Sequence, residues 1–186
     1  MTYTVEQLQP LSAAVGRVII EWNRVEWAIV YLGHALATCI NPAPRAEAID
    51  PVHVALLTMD LRARIKTTRA YASQCFISDT FFDELTELLN RVNNKHRPLR
   101  NHYVHSVWFC DDGPTVRAKV GMVVSKDDDG SYELKQWEAT EYESTGAVGA
   151  FGAELADVYT EIMRLENKVT TSALYKAALE KLAVKI

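Results

Sequence analysis

No run in this chain approaches the ~20 uninterrupted apolar residues that a membrane-spanning helix needs. The opening residues MTYTVEQLQP carry neither a basic n-region nor an apolar h-region, so no secretory signal is expected there. Cysteine is scarce: Cys39, Cys75 and Cys110 are odd in number, widely spaced and without a CxxC pair. That pattern reads as reduced structural thiols in a cytoplasmic protein. GxSxG and paired Cys/His motifs are missing, which removes support for nucleophilic hydrolase chemistry. The GAVGAFG stretch lacks the GxGxxG order of a dinucleotide site, and DDDG lacks the alternating acids of an EF-hand.

What is present suits one ordinary globular domain, 1–186. The chain has 186 residues and 48% hydrophobic content, enough to bury a proper core. Its 24 acids against 20 bases leave a formal charge of −4. Nucleic-acid binding by such a chain requires a local basic patch.

Apolar residues recur at helical spacing along most of the length. Leu11, Val15, Val18, Trp22, Val25, Ile29, Leu32 and Leu36 mark a long first helix. Thr4 with Gln7 suggests a capping box for it, and Asn41-Pro42 ends it. Asp50-Pro51 is a start signal for a second helix, with Val54, Leu57, Leu61, Ile65, Thr68 and Ala72 on one face. Arg62, Arg64, Lys66 and Arg69 fall on its other faces. Ser78-Asp79-Thr80 opens a third, striped by Phe81, Leu85, Leu88 and Val92. Pro98 kinks that helix or makes it stop and restart, and a restart would leave amides open to an anion.

After that the period changes to two. VWFC, TVRAKVGMVV and SYELKQW read as three strands, with DDGP and DDDG as turn chemistry. A last helix is expected from about Thr140, with Thr140 and Glu143 as a capping box and Leu155, Val158, Ile162, Leu165 and Val169 as its stripe. Gly146, Gly149 and Gly152 suggest close approach of another helix. The expected fold is mainly α: a helical bundle of about four long helices, with a small three-stranded antiparallel β-meander, about 106–138, inserted before the last helix.

One stretch carries chemistry. RPLRNHYVHSVWF, 97–109, sets Arg97, Asn101 and His105 four apart on one helical face. Arg100 and His105 are five apart, about 140° around a helix, which predicts that they flank a groove rather than touch. Between Arg91 and His105 stand four basic residues, three histidines and no acid. Together with the acid-free 61–78 segment this predicts a basic surface, and Tyr103 and Trp108 are available to stack on bases. A structural reading competes: Arg100 pairing with a core acid such as Glu26, the histidines serving the helix dipole. A metal reading, His102-x-x-His105 with His96, Cys110 and Asp111, lacks a second spaced pair, so no metal site is expected.

Arg100-Asn101-x-x-x-His105 resembles the R-polar-x-x-x-H signature of HEPN domains. EWNRVEWAIVYLG in the first helix, LRARIKTTRAYA in the second and Trp108 after the motif also resemble small bacterial members. The strands and further helix after the motif, and Pro98 just before it, depart from the family pattern. The resemblance implies a metal-independent, cofactor-free endoribonuclease acting as a homodimer, possessing a site of Arg100, Asn101 and His105. RNA contacts are then expected at Arg97, His102, Lys95 and Tyr103. It also implies a bacterial or phage defence or toxin-like setting, with an antitoxin or regulatory protein as a partner. The alternative within the same family is a non-catalytic dimerisation or nucleotide- or RNA-binding module.

Overall fold

The computed structural model describes residues 5–42, 50–75, 78–109, 116–126 and 132–183. Its helices are α1 (Val5–Ile40), α2 (Pro51–Thr58), α3 (Leu61–Cys75), α4 (Asp79–Arg91), α5 (Arg97–His105), α6 (Thr145–Thr170) and α7 (Ala173–Ala183). A π-helical turn, Val92–His96, joins α4 to α5. Among the described residues, no helix is long and apolar enough to cross a membrane.

The expected architecture is overturned. Residues whose side chains are described are 91% helical, in six helices once Asp79–His105 is counted as one continuous run, and no sheet layer stands among them. Only α1 and α6 are long, and two helices, α6 and α7, follow residue 142 where one was expected. Between α5 and α6 only backbone pairing is described: β1 (Val107–Phe109), β2 (Val116–Lys126) and β3 (Tyr132–Tyr142) pair antiparallel in the order β1-β2-β3. The described core takes its side chains from helices alone. The period-two pattern records strand propensity, and propensity alone does not supply a packed face.

The chain divides into two compact units, one of Met1–Ile20 with Leu99–Ala153, the other of Glu21–Pro98 with Glu154–Ile186. In the second unit the predicted stripes are the core. Trp22, Val25, Ile29, Leu32 and Leu36 of α1, Phe81, Leu85 and Leu88 of α4, and Leu155, Val158, Ile162, Leu165 and Val169 of α6 are all buried. Each fully buried aliphatic side chain contributes about 1.5–3 kcal/mol. In the first unit Leu11, Val18, Tyr103, Val148 and Phe151 are buried.

The second predicted helix is two helices. Asp50 caps α2, accepting from the Val52 amide at 2.8 Å, with Pro51 in the first turn as expected. Met59 is extended, and Asp60 starts α3 by accepting from the Ala63 amide at 2.9 Å. This break shifts the apolar phase: Leu56 is buried, whereas Val54 and Leu57 are exposed. It also brings Arg64 inside, at 6% exposure, rather than onto a solvated face. Its guanidinium donates to the carbonyls of Leu56 (2.9 Å), Leu57 (3.4 Å) and Met59 (3.0 Å), and lies 3.5 Å from the Glu26 carboxylate. No glycine ends α2 to give the usual left-handed cap, so the loose carbonyls fall to this arginine.

Glycine matters at Gly33. A Cβ there would lie 2.9 Å from Thr68 Oγ1 and 3.2 Å from Leu56 Cδ1, so its absence lets α3 and α2 press against α1. The expected glycine face of α6 is narrower than predicted. A Cβ on Gly152 would meet the Arg17 side chain at 3.3 Å, but one on Gly149 would meet nothing within 4 Å. Helix α6 starts at Thr145 with Ser144 as its cap, and Thr140 lies in β3. The Thr4 capping position falls outside the described residues.

Candidate functional site

The segment carrying the motif neither stops nor restarts at Pro98. Proline crowds the carbonyl four residues back, and the π turn just before it widens the helix by one residue. The Arg97 amide bonds five residues back to the Val92 carbonyl, so this first amide of α5 is not open to an anion.

Arg100, Asn101 and His105 are brought together. Arg100 Nη1 donates to Asn101 Oδ1 at 3.1 Å and lies 3.3 Å from His105 Nε2. Asn101 and His105 are exposed, and Arg100 is half-buried. The predicted separation of Arg100 from His105 is therefore corrected. Five residues rise only about 7.5 Å along a helix, and an extended arginine spans that distance and the turn. A guanidinium only donates, so in this contact it is the Nε2 lone pair of His105 that faces Arg100. Glu26, the acid offered by the structural reading, meets Trp22 Nε1 at 2.6 Å and Arg64 at 3.5 Å.

The residues expected to support RNA binding are placed differently from one another. Tyr103 is buried at 6% exposure, its ring stacked on Trp108 (centroids 6.3 Å apart) and tilted against Phe151 (5.3 Å). Burial first, then the neighbouring Glu143 carboxylate, push its phenol well above the ordinary range. Trp108, half-buried, donates Nε1 to the Tyr103 carbonyl at 3.1 Å. These two rings pack on each other and leave no open face on Tyr103 for a base. His102 is half-buried, 3.9 Å from Glu143. By local spacing Glu143 reads as a helix-cap residue; its contact with this helix crosses the strand segment and has no signal in that spacing.

In the other unit the expected basic run is largely neutralised. Lys95 pairs with Glu154 and Arg91 with Glu161. His96, fully buried, has Nε2 3.0 Å from the same Glu154 carboxylate. Lys95, first among the causes, and then His96 hold Glu154 below the usual carboxylate range against the opposing cost of burial. Arg69 donates to the Thr86 carbonyl at 3.2 Å and to Asn90 Oδ1 at 2.7 Å. With Arg64 buried, Arg62 and Lys66 are the exposed cations left from α3's basic run. Arg97 is half-buried at the start of α5.

Among the described residues no group of three or more His, Cys, Asp or Glu side chains is arranged to hold a metal ion. Cys110 and Asp111, part of the metal reading, lie outside the described residues. Chemically, the Arg100 trio offers a fixed cation, an amide and an imidazole lone pair within one helix turn and a half. No family model, curated protein or solved structure matches this chain.

Proposed function

We propose that Arg100, Asn101 and His105 form a phosphate-gripping acid–base site, and that the chain is a metal-independent endoribonuclease of HEPN type. The observation that supports this reading is the single guanidinium bridging an exposed amide and an exposed imidazole, at 3.1 and 3.3 Å. In the cleavage reaction His105 Nε2 takes the proton of the RNA 2′-hydroxyl. The 2′-oxygen attacks the adjacent phosphorus, and the bond to the 5′-oxygen breaks. Arg100 turns its fork to the phosphate oxygens and stabilises the charge that builds there. Asn101 orients the phosphate or the ring. A second proton must reach the departing 5′-oxygen, and a homodimer would supply a second His105 for that purpose. The setting proposed is cytoplasmic, in a defence or toxin-like system, with an antitoxin or regulatory protein as partner.

A second reading, a non-catalytic dimerisation or nucleotide- or RNA-binding module, has its own support. Pairing of Lys95 and Arg91 with acids of α6 removes much of the positive charge that would hold RNA. Cleavage in excess EDTA, wild type beside His105→Ala, decides between the two. His105 is exposed, so its loss should change stability by no more than about 0.5 kcal/mol. Cleavage by wild type alone, leaving 2′,3′-cyclic phosphate ends, is the expected result. Equal cleavage by both proteins removes His105 from the chemistry. RNA binding without cleavage by either favours the module.

A further inference from the structure

We propose that Cys39 and Cys75 form a reversible oxidation site, in which a hydroperoxide oxidises the Cys39 thiol and Cys75 resolves the product as an intramolecular disulfide. Cys39 lies in the last turn of α1 and is half-buried, and Cys75 is the last residue of α3 and is buried. Both thiols are free. Cys75 Sγ donates to the Leu36 carbonyl at 3.2 Å, one helical turn before Cys39 on α1, which sets the Cys75 thiol against the end of α1 that carries Cys39. A buried cysteine alone is ordinarily a small hydrophobe. A second thiol against it, with a route to solvent, is not needed for packing.

The division of roles follows from exposure and from where the Cys75 proton sits: Cys39 is half-buried and reaches solvent, whereas Cys75 is buried with its proton on the Leu36 carbonyl. The carbonyl has its own helical donor four residues on. The Cys75 proton is therefore free to turn toward Cys39 when that sulfur carries charge. This contact lowers the Cys39 thiol from its ordinary range against the cost of burial, while the same contact and burial raise Cys75. Cys39 is thus the attacking thiolate. The C-terminal end of α1 disfavours an anion, which suits a slow oxidation site rather than a turnover peroxidase.

The chemistry balances in two steps. The Cys39 thiolate attacks the terminal peroxide oxygen, the O–O bond breaks, and an alkoxide (hydroxide from hydrogen peroxide) leaves and takes a proton. Cys75 sulfur then attacks the Cys39 sulfenic acid, the S–O bond breaks, and the Cys75 proton leaves with the hydroxyl as water. Two thiols lose two electrons and two protons, and the peroxide becomes an alcohol or water plus a second water.

The test uses the wild-type chain, treated with hydrogen peroxide, denatured in an excess of alkylating agent, and mapped by peptide mass. The expected result is a Cys39–Cys75 cross-linked peptide, two hydrogens lighter, independent of protein concentration and reversed by dithiothreitol. In Cys75→Ala, a 1,3-dione probe should label Cys39 as a sulfenic acid. Full alkylation of both thiols after peroxide overturns the proposal. So does a cross-link to Cys110 or between chains, or sulfenic acid trapped at Cys75 in Cys39→Ser. The wild-type measurement decides even where a variant fails to fold.

Discussion

Replacing Arg64 by alanine should be among the most damaging single changes in the α2–α3 region. Three carbonyls at the end of α2 lose their donor, at 2.9, 3.0 and 3.4 Å, and the Glu26 carboxylate loses a cation at 3.5 Å. A hydrogen bond from a charged donor is worth about 1.5–3 kcal/mol net, so the three carbonyl bonds together set an upper sum of about 9 kcal/mol. Two effects reduce it. Removing the guanidinium also removes the cost of keeping a charge buried. A cavity of about 180 Å³, lined by Arg64, Glu26 and Leu57 among others, is large enough to admit water to the freed groups. The expected loss is therefore about 3–4 kcal/mol, or roughly 6–15 °C in the midpoint for a chain of this size. Urea and thermal unfolding of Arg64→Ala, Arg64→Lys and Arg62→Ala would measure it. Lysine keeps the charge without the fork and should recover less than half of the loss. Arg62, exposed on the same helix, should change stability by no more than about 0.5 kcal/mol. If Arg64→Ala and Arg62→Ala unfold within about 1 kcal/mol of each other, the guanidinium is not what holds the end of α2.

Gly33→Ala should cost about 1–2 kcal/mol by overpacking against Thr68 and Leu56, despite alanine's better helix propensity, and adding Thr68→Ala should recover part of it in a double-mutant unfolding cycle. Glu154→Gln should lower the unfolding midpoint at pH 7. Because Lys95 and His96 hold the folded carboxyl below its ordinary value, the contribution is complete above about pH 5 and disappears as pH falls through the folded value. Wild-type and Glu154→Gln midpoints should therefore converge in acid, and a constant gap down to pH 2 would refute the linkage. On the proposed endoribonuclease reading, Arg100→Lys, retaining charge but not the fork, should reduce RNA cleavage about 100-fold with the fold intact, measured as initial rates at fixed salt.

The stripes of α1, α4 and α6 were legible because a period near 3.6 needs only local sequence. Val15, half-buried, is the one position of the α1 stripe that the core does not close over. Arg64 was not legible: in sequence it is one of four cations between positions 62 and 69. Only the break at Met59 turns it inward, and the sole local hint is Asp60 as an N-cap. The spacing of Arg100, Asn101 and His105 was legible, but their contact was not. Helical angles locate backbones, and a long side chain reaches across them. Neutralisation of Lys95 and Arg91 by Glu154 and Glu161 depends on partners far along the chain, which no local charge count reveals.

Helix α2 has only eight residues, fewer than a helix needs to persist alone in water, and Leu56 is its one buried side chain. It is fastened at both ends by other elements: Asp50 at its start lies 2.8 Å from His34 Nε2 on α1, and Arg64 of α3 grips its last carbonyls. Its amides should therefore exchange with solvent together, through an opening well short of global unfolding. Releasing either fastening should speed the exchange of the whole helix, not just the end released, while the amides in the middle of α1 and α6 keep their protection.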